Sequence, residues 1–550
     1  MSAVSLLAHA FSFVTWPDAR RLSRALHAPL RAEERLLAHL TRDLMTTRYG
    51  RSLGVDDDPR RFFKHVPIVT YREMEALVQE QMATGEVVVS PGDVALYERT
   101  SGSSGTRKYI PYSPLLRRTF ARMFRSWAHD LVAHGPRLHT ARFYFSISPS
   151  FDDESATLSG AEVGIASDAN YLDGFMRRAL EPFFVAPAHL ARERDPNRFK
   201  DESAVALLLS PLLEIVSVWS PTFFLVLLDH IVVHHVRLIA LIEQMQREAP
   251  RRRRAQRLDA LRIHFADHGA MASGALFHAL WPHVKVISCW RAGNARAPAE
   301  KLAALFPRAL VQGKGLLATE APVSIPLVAE PGDACAPLVD DVLIEVLGPS
   351  GDARRLSSCS DGDEGEIIVS PRGGFMRYRL GDRVRVTRAP DGSPRITMLG
   401  RADRISDLVG EKLEEGFVER TLAALFPHAT LRTLVPVLTP DMTPPAHYVL
   451  FVDDEGFDDE MLDDDDDTVR EVAHRLDRAL SVAFHYAHAR ALGQLALPSI
   501  IMGKSAADRL LRAWSESGRR AGDLKPCALV TVPLSVDDDA VSVGRPTRAP

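Results

Sequence analysis

Between Ser113 and Gln312 helical stretches alternate with short apolar strands, and this alternation limits the fold more than any other feature of the chain. Helix is expected from about Ser113 to Ala133 and from Pro211 to Gln246, the second broken at Pro221. Arg142 to Ser148 alternates as a strand does, and Val284–Ser288 and Leu310–Gln312 read as short buried strands following helices. Such alternation builds an α/β architecture around a substantial sheet. Upstream, the spacing of Leu37, Leu40 and Leu44 predicts a helix ending near Tyr49-Gly50, and a second runs from Tyr71 to Met82.

Strands dominate from Pro337 onward: Leu343–Val346, Glu366–Val369 and Val384–Val386, separated by turns such as Asp391-Gly392. Composition changes after Gly400. A helix is expected at Glu415–Leu425, strands near Thr430–Leu438 and His447–Val452, and a long helix at about Thr468–Leu492, as in a small α+β domain. No internal repeat is present. At 550 residues the chain exceeds one ordinary core, so two or three domains are expected. The Arg/Pro-rich tail from about Val543 reads as disordered.

Charge excludes some functions. With 25% charged residues and a net charge of -4, the chain has no global attraction to nucleic acid or to an anionic membrane. Arg251 to Arg254 read as a solvated turn between helices, or as a phosphate contact. Asp453 to Asp467, with five consecutive aspartates, reads as an exposed mobile loop. The four cysteines (Cys289, Cys335, Cys359, Cys527) lack metal or disulfide spacing, which suits a reducing cytoplasm. The first residues show no basic region or cleavage site, and Ile215–Leu228 is too short to span a bilayer, so it reads as a buried core helix.

Four clusters carry chemistry. Thr100-Ser101-Gly102-Ser103-Ser104-Gly105-Thr106-Arg107-Lys108 follows the strand-like Asp93–Glu98. Its glycines free backbone N–H groups to turn inward, its hydroxyls donate to anionic oxygens, and its cations balance phosphate charge. It lacks Walker spacing, and a flexible connector would have the same composition. In Gly315–Glu320 a carboxylate beside a threonine hydroxyl suits Mg2+ and phosphate, or is an ordinary loop acid. In Tyr378-Arg379-Leu380-Gly381-Asp382 the aspartate can accept both ribose hydroxyls, or close a plain turn. Gly400-Arg401-Ala402-Asp403, followed by Gly410-Glu411-Lys412, offers cations for phosphate and ribose oxygens.

In this order and at these separations the clusters resemble the hydroxyl-rich loop, T-E, R-x-G-D and G-R-x-D motifs of the adenylate-forming superfamily. Within it the chain resembles the bacterial branch of the auxin-responsive acyl-acid amido synthetase family. Further landmarks are Thr47–Gly50, Val66-Pro67-Ile68 with Tyr71, Lys108–Pro111, Trp219-Ser220-Pro221, Cys289-Trp290 and Tyr486–Gly493. The resemblance spans about residues 20 to 532.

The resemblance implies an α/β fold, with a large multi-sheet N-terminal adenylate-forming domain (1–402) and a small α+β C-terminal lid (403–550) swivelling near Arg401–Asp403. It implies that ATP contacts Thr100, Ser101, Gly102, Ser103, Ser104, Gly105, Lys108 and Thr319, that Glu320 takes Mg2+, and that Asp382 holds the ribose. Leu316 stands where many relatives stack a tyrosine on adenine, so aliphatic contact is expected there. Arg401, Lys412 and Lys525 would be catalytic cations, although Pro526-Cys527 departs from the Pro-Arg common in plant relatives.

The implied reaction activates a carboxylic acid as its adenylate, then forms an amide with an amine, an amino acid in this family. Transfer to CoA or a carrier-protein thiol is the enzymatic alternative, and a non-catalytic nucleotide-binding or scaffold descendant is the alternative of another class. The acyl pocket is expected to draw on Trp219, Phe223 and Trp290, residues that would serve equally as plain core. A cytoplasmic monomer is expected, without nucleic-acid or membrane partners.

Overall fold

The computed structural model describes residues 3–100, 108–145, 162–163, 181–187, 189–190, 193, 195–269, 271–292, 295–330, 332–401, 405–406, 408, 411, 413–437, 446–453, 467–491, 495–517, 527–531 and 533–534. Helices Ala3–His27 and Pro29–Met45 open the chain. The second buries Leu36, Leu37, Leu40 and Leu44 against Phe62, Val66, Leu343 and Met376, as its periodicity predicts. It stops at Met45, earlier than expected, because Thr47 caps a new short helix, Arg48–Ser52, by accepting the Gly50 N–H at 2.9 Å. A Cβ at Gly50 would lie 2.1 Å from the Leu44 carbonyl oxygen. Gly50→Ala is therefore expected to cost about 1–3 kcal/mol, read as a lower urea midpoint at unchanged slope.

The hairpin β1 (Leu96–Thr100) and β2 (Lys108–Pro111) pairs Thr100 with Lys108 across the hydroxyl-rich loop. A four-stranded parallel sheet, ordered β3-β5-β6-β7, contains β3 (Arg142–Phe145), and β4 (Glu162–Val163) runs parallel to β1. The other parallel strands are β5 (Leu213–Ser217), β6 (Val286–Ser288) and β7 (Leu310–Gln312). β5 corrects the helix expected from Pro211. A short apolar run carries no period of its own, and only the ladder to β3 and β6 makes it a strand. Helix resumes at Pro221–Val233, where proline suits the first helical position.

Glu214 sets the start of this sheet. Its carboxylate accepts the backbone N–H groups of His139, Thr140 and Ala141 at 2.7–2.9 Å and meets Lys285 Nζ at 2.9 Å. Ala141 adopts φ +52°, a left-handed conformation that this grip holds in place. The basic run lies at the expected junction between two helices, with Arg251, Arg252 and Arg253 exposed; Arg251 precedes helix Arg252–His268 and the other three arginines form its first turn. Arg254 Nη1 donates to the Met245 and Ala249 carbonyls at 2.6 and 2.8 Å, closing the end of the helix before it.

A two-stranded unit, β8 (Ser324–Ile325) with β9 (Ala336–Pro337), precedes a five-stranded antiparallel sheet. That sheet comprises β10 (Val342–Leu347), β11 (Ala353–Arg355), β12 (Glu364–Pro371), β13 (Tyr378–Arg388) and β14 (Pro394–Arg401), ordered β11-β10-β12-β13-β14. Beyond it, β15 (Ile405–Ser406) pairs β16 (Leu413–Glu414), and β17 (Arg432–Val437), β18 (His447–Val452) and β19 (Ser499–Met502) form a last sheet. Alternate residues of β17 and β18 enter different cores. Leu434, Leu450 and Val452 pack on the helix Glu415–Leu425 side, whereas Val435, Val449 and Phe451 meet Leu510 and Trp514 of helix Ala506–Glu516.

The long helix expected at Thr468–Leu492 is two, Asp467–Leu480 and Phe484–Ala491. The break folds the second back so that Tyr486 Oη and Arg490 Nε both bond Asp477, at 2.8 and 2.7 Å. Of the acidic run, Asp453 is held in place, accepting the Leu431 N–H, and Asp467 begins a helix. Residues 454–466 and the tail from 543 lie outside the described residues. No single described helix is long and apolar enough to cross a membrane.

Candidate active site

The carboxyl ends of the parallel strands are the first place to look for a ligand, because loops there leave the sheet in divergent directions. The chain leaves β5 as Val218-Trp219, β6 as Cys289-Trp290 and β7 as Gly313-Lys314. Trp290 N–H donates to the Trp219 carbonyl at 2.9 Å, and the two rings stand with centroids 5.8 Å apart at 46°. Lys314 Nζ lies 4.9 Å from the centroid of the Trp219 ring, within cation–π range, and 2.8 Å from Ser217 Oγ. Trp219 and Trp290 therefore stand together, whereas the ring contact of Phe223 is with Phe199, at 6.3 Å. Cys289, the chain neighbour of Trp290, is not a nucleophile at neutral pH: burial pushes its thiol up to about 12.

The chain then turns into the Thr319-Glu320 segment. Leu317 bridges Pro322, and Ala318 and Ala321 exchange backbone hydrogen bonds at 3.1 and 3.2 Å, so Thr319 and Glu320 form the tip of a reverse turn. Tyr112 Oη donates to the Thr319 carbonyl at 2.8 Å and ties this tip to the segment just after β2. Leu316 is buried in the core that also holds Tyr71, Ile110 and Leu380.

Tyr71 joins these pieces. Its hydroxyl accepts the Tyr109 N–H at 2.8 Å, and its ring lies 5.9 Å from Lys108 Nζ. Burial first, with the charge of nearby Glu320 among the smaller causes, raises its phenol to about 12. Lys108 thus stands over a tyrosine of the same core as Leu316. The segment before it is bonded to β13: Val69 N–H donates to Arg377 O at 3.0 Å, and Arg379 N–H donates to Val69 O at 2.9 Å. Arg377 is anchored by a bidentate pair with buried Glu345, at 2.8 and 2.9 Å.

Downstream on β13, Gly381 takes φ +76° and the next residue, Asp382, is buried. Asp382 pairs in register with Arg401 at the end of β14. The R-x-G-D and G-R-x-D motifs are therefore neighbouring strands, and Val69–Tyr71 links them to Lys108. Sequence motifs alone missed Tyr71 as a site residue; the landmark Val66-Pro67-Ile68 with Tyr71 was the available signal. Lys314 and Gln312 gave no motif.

Ser101, Gly102, Ser103, Ser104, Gly105, Lys412 and Lys525 lie outside the described residues, as do the side chains of Thr100 and Arg401. Their flanks are described. Glu411, next to Lys412, is buried, accepts the Leu408 N–H at 2.7 Å and bonds Tyr448 Oη. Shortly after Lys525, Val530 N–H donates to Leu434 O at 2.9 Å on the edge of β17.

Parallel strands with divergent loops, beside an antiparallel sheet that carries a buried aspartate, define an α/β protein. The sequence places it further. Residues 18–311 match the GH3 family N-terminal domain, 350–401 the GH3 family central domain and 417–533 the GH3 family C-terminal domain. The chain belongs to the GH3 family, as the motif resemblance implied. Among solved structures it is similar to AtGH3.15 acyl acid amido synthetase in complex with 2,4-DB, at 17% identity and TM-score 0.77, covering 96% of this chain and 95% of that one. A second GH3.15 acyl acid amido synthetase structure matches at 17% identity and TM-score 0.72, covering 95% of each chain. At that identity the likeness establishes the fold. No curated protein sequence matches the chain.

Proposed function

We propose that the protein is an ATP-dependent, AMP-forming acyl acid amido synthetase, which activates a carboxylic acid as its adenylate and passes the acyl group to an amine, an amino acid. The observation that carries this reading is the convergence of three segments: Tyr112, just after β2, holds the Thr319-Glu320 turn, Tyr71 lies beside Lys108 of β2, and the Val69 backbone bonds the strand of Asp382. Family membership across all three domains supports it.

A carboxylate is a poor electrophile because oxide would have to leave. Attack of its oxygen on the α-phosphate of ATP releases pyrophosphate and makes AMP the later leaving group. The approach of one anion to another is the difficulty, and donors fixed in advance lower it most. Lys108 would balance phosphate charge at the mouth of the hydroxyl-rich loop, with Ser101, Ser103 and Ser104 donating to phosphate oxygens. Thr319 would donate its hydroxyl at the turn tip, Asp382 would accept the ribose hydroxyls, and Leu316 would press on adenine. Lys412, Lys525 and Arg401 would bring mobile charge from the C-terminal side.

Among the described residues no group of three or more His, Cys, Asp or Glu side chains could hold a metal ion. A single carboxylate at Glu320 is the donor set of a Mg2+ that arrives on nucleotide phosphates, and the ion would polarise them. The residues from Leu413 onward have cores of their own. In this reading 403–550 is a lid on the 1–402 body, hinged after Arg401, and the enzyme is a cytoplasmic monomer. Lys200 Nζ lies 4.0 Å from Asp508 Oδ1 across the two parts.

The test is ATP–pyrophosphate exchange and hydroxylamine trapping over a panel of acids, followed by mass spectrometry of products with amino acids, CoA and holo-carrier supplied separately. Acid-dependent exchange and an amide product are expected. Folded protein with no exchange for any acid rejects the reading, and a thioester product redirects it. Asp382→Asn is expected to raise the KM for ATP about tenfold or more, from loss of charged hydrogen bonds worth ~1.5–3 kcal/mol; an unchanged KM would remove Asp382 from the ribose site.

A further inference from the structure

Ser217, Ser288 and Gln312 stand in register at the ends of β5, β6 and β7, so their side chains share one face of the parallel sheet. The residues one position earlier, Val216, Ile287 and Val311, point the other way into an apolar core. All three polar residues are buried, Gln312 being only 6% exposed. From helix Pro114–His134, Trp127 Nε1 donates to Gln312 Oε1 at 3.0 Å. That bond fixes the amide so that Nε2 is its donor end. Gln312 Nε2 is buried and finds no hydrogen-bond partner among the described residues.

A buried amide donor in that state is unfavourable unless something else accepts from it. Its surroundings indicate what. Two residues on, Lys314 turns back to Ser217 and places its ammonium over Trp219, which stands beside Trp290. A buried N–H, a half-buried cation and two indole walls suit an oxygen acceptor carried on a flat apolar body. This polar row is separate from the turn tip: Lys314 precedes Thr319 by a glycine and the buried Leu316.

We propose that Gln312 and Lys314 form an acceptor-binding subsite of the acyl pocket. It selects aromatic or other planar acids that bear a hydroxyl, oxo or second carboxylate group away from the carboxylate to be activated. The proposal rests on the synthetase reading and adds a substrate class to it. An acid lacking the acceptor leaves the Gln312 donor unpaired. Sites built to hydrogen-bond a substrate group discriminate strongly against analogues without it.

The experiment measures pyrophosphate exchange with matched acids: benzoate against 4-hydroxybenzoate and terephthalate, and phenylacetate against 4-hydroxyphenylacetate. Wild-type protein is expected to favour at least one oxygenated member by tenfold or more in kcat/KM, mainly through KM. Gln312→Leu and Lys314→Met are expected to bring the paired ratio to within threefold of one, and Gln312→Asn to recover part of it. Thermal midpoints of each variant verify folding. Exchange with no preference for oxygenated acids, or an equal loss for both members of each pair in the variants, overturns the subsite and leaves the synthetase reading standing. No exchange with any acid overturns both.

Discussion

Glu320→Ala is expected to lower acid-dependent pyrophosphate exchange about a hundred- to thousandfold, ~2.7–4 kcal/mol of transition-state stabilisation, by analogy with removal of one preorganised charge-stabilising group. The effect should fall on the chemical step, because this carboxylate stands at the tip of a two-residue turn and not in a core. The turn is closed by the Ala318–Ala321 backbone bonds and fixed by Tyr112, none of which uses the Glu320 side chain. Folding should therefore survive. Two readouts separate the role from a structural one: the Mg2+ dependence of exchange should weaken or shift in Glu320→Asp, and urea midpoints of both variants should stay near wild type. Exchange within threefold of wild type in Glu320→Ala would remove this residue from the phosphate site.

Glu214→Ala carries the largest expected change in stability, about 3–5 kcal/mol, the usual result of deleting one partner of a buried charged network. Three backbone N–H groups would lose their acceptor, and Ala141 would lose what holds it at positive φ. Because β3 is registered against β5 immediately beyond this anchor, the variant should also disturb the strand ends where Ser217 and Trp219 sit. The pH dependence has a definite sign. Burial pushes the carboxyl of Glu214 up, but Lys285 and the amide donors of Thr140, His139 and Ala141 outweigh it and hold it below its ordinary value of 4.5. A carboxylate depressed in the folded state stabilises above its unfolded value, and this contribution is lost as pH falls through the folded value. The gap in urea midpoint between wild type and Glu214→Gln should thus be wide at pH 7 and narrow as pH falls below the ordinary value of 4.5 and through the lowered folded value. A gap that does not change with pH would mean that Glu214 acts through packing alone.

Much of the site was legible because its chemistry is written in short, local words. Thr319-Glu320 and Gly381-Asp382 are short segments whose meaning depends on residues a few positions apart; the first forms a reverse-turn tip, and the second lies within strand β13. Helix Glu415–Leu425 and strand His447–Val452 were bounded correctly for the same reason. The misreadings are equally instructive. Leu213–Ser217 reads as helix from sequence because five apolar-rich residues carry no period, and its identity lies in parallel partners at Phe143 and Val286, about seventy residues away on either side. The helix expected beyond Thr468 breaks where tertiary bonds to Asp477 outweigh local propensity.

The order of the residues along the chain determined the family, the sheet-building segments and the chemical types available to a nucleotide site, since each follows from patterns within about ten positions. Only the folded arrangement decided which of those residues meet. Tyr71 reaches Lys108 across the start of the chain, Asp382 lies against Arg401 on the next strand, and Trp127 orients Gln312 from 185 positions away. Contacts at such separations are set by sheet order and by which face a side chain occupies, and no local run of sequence encodes either.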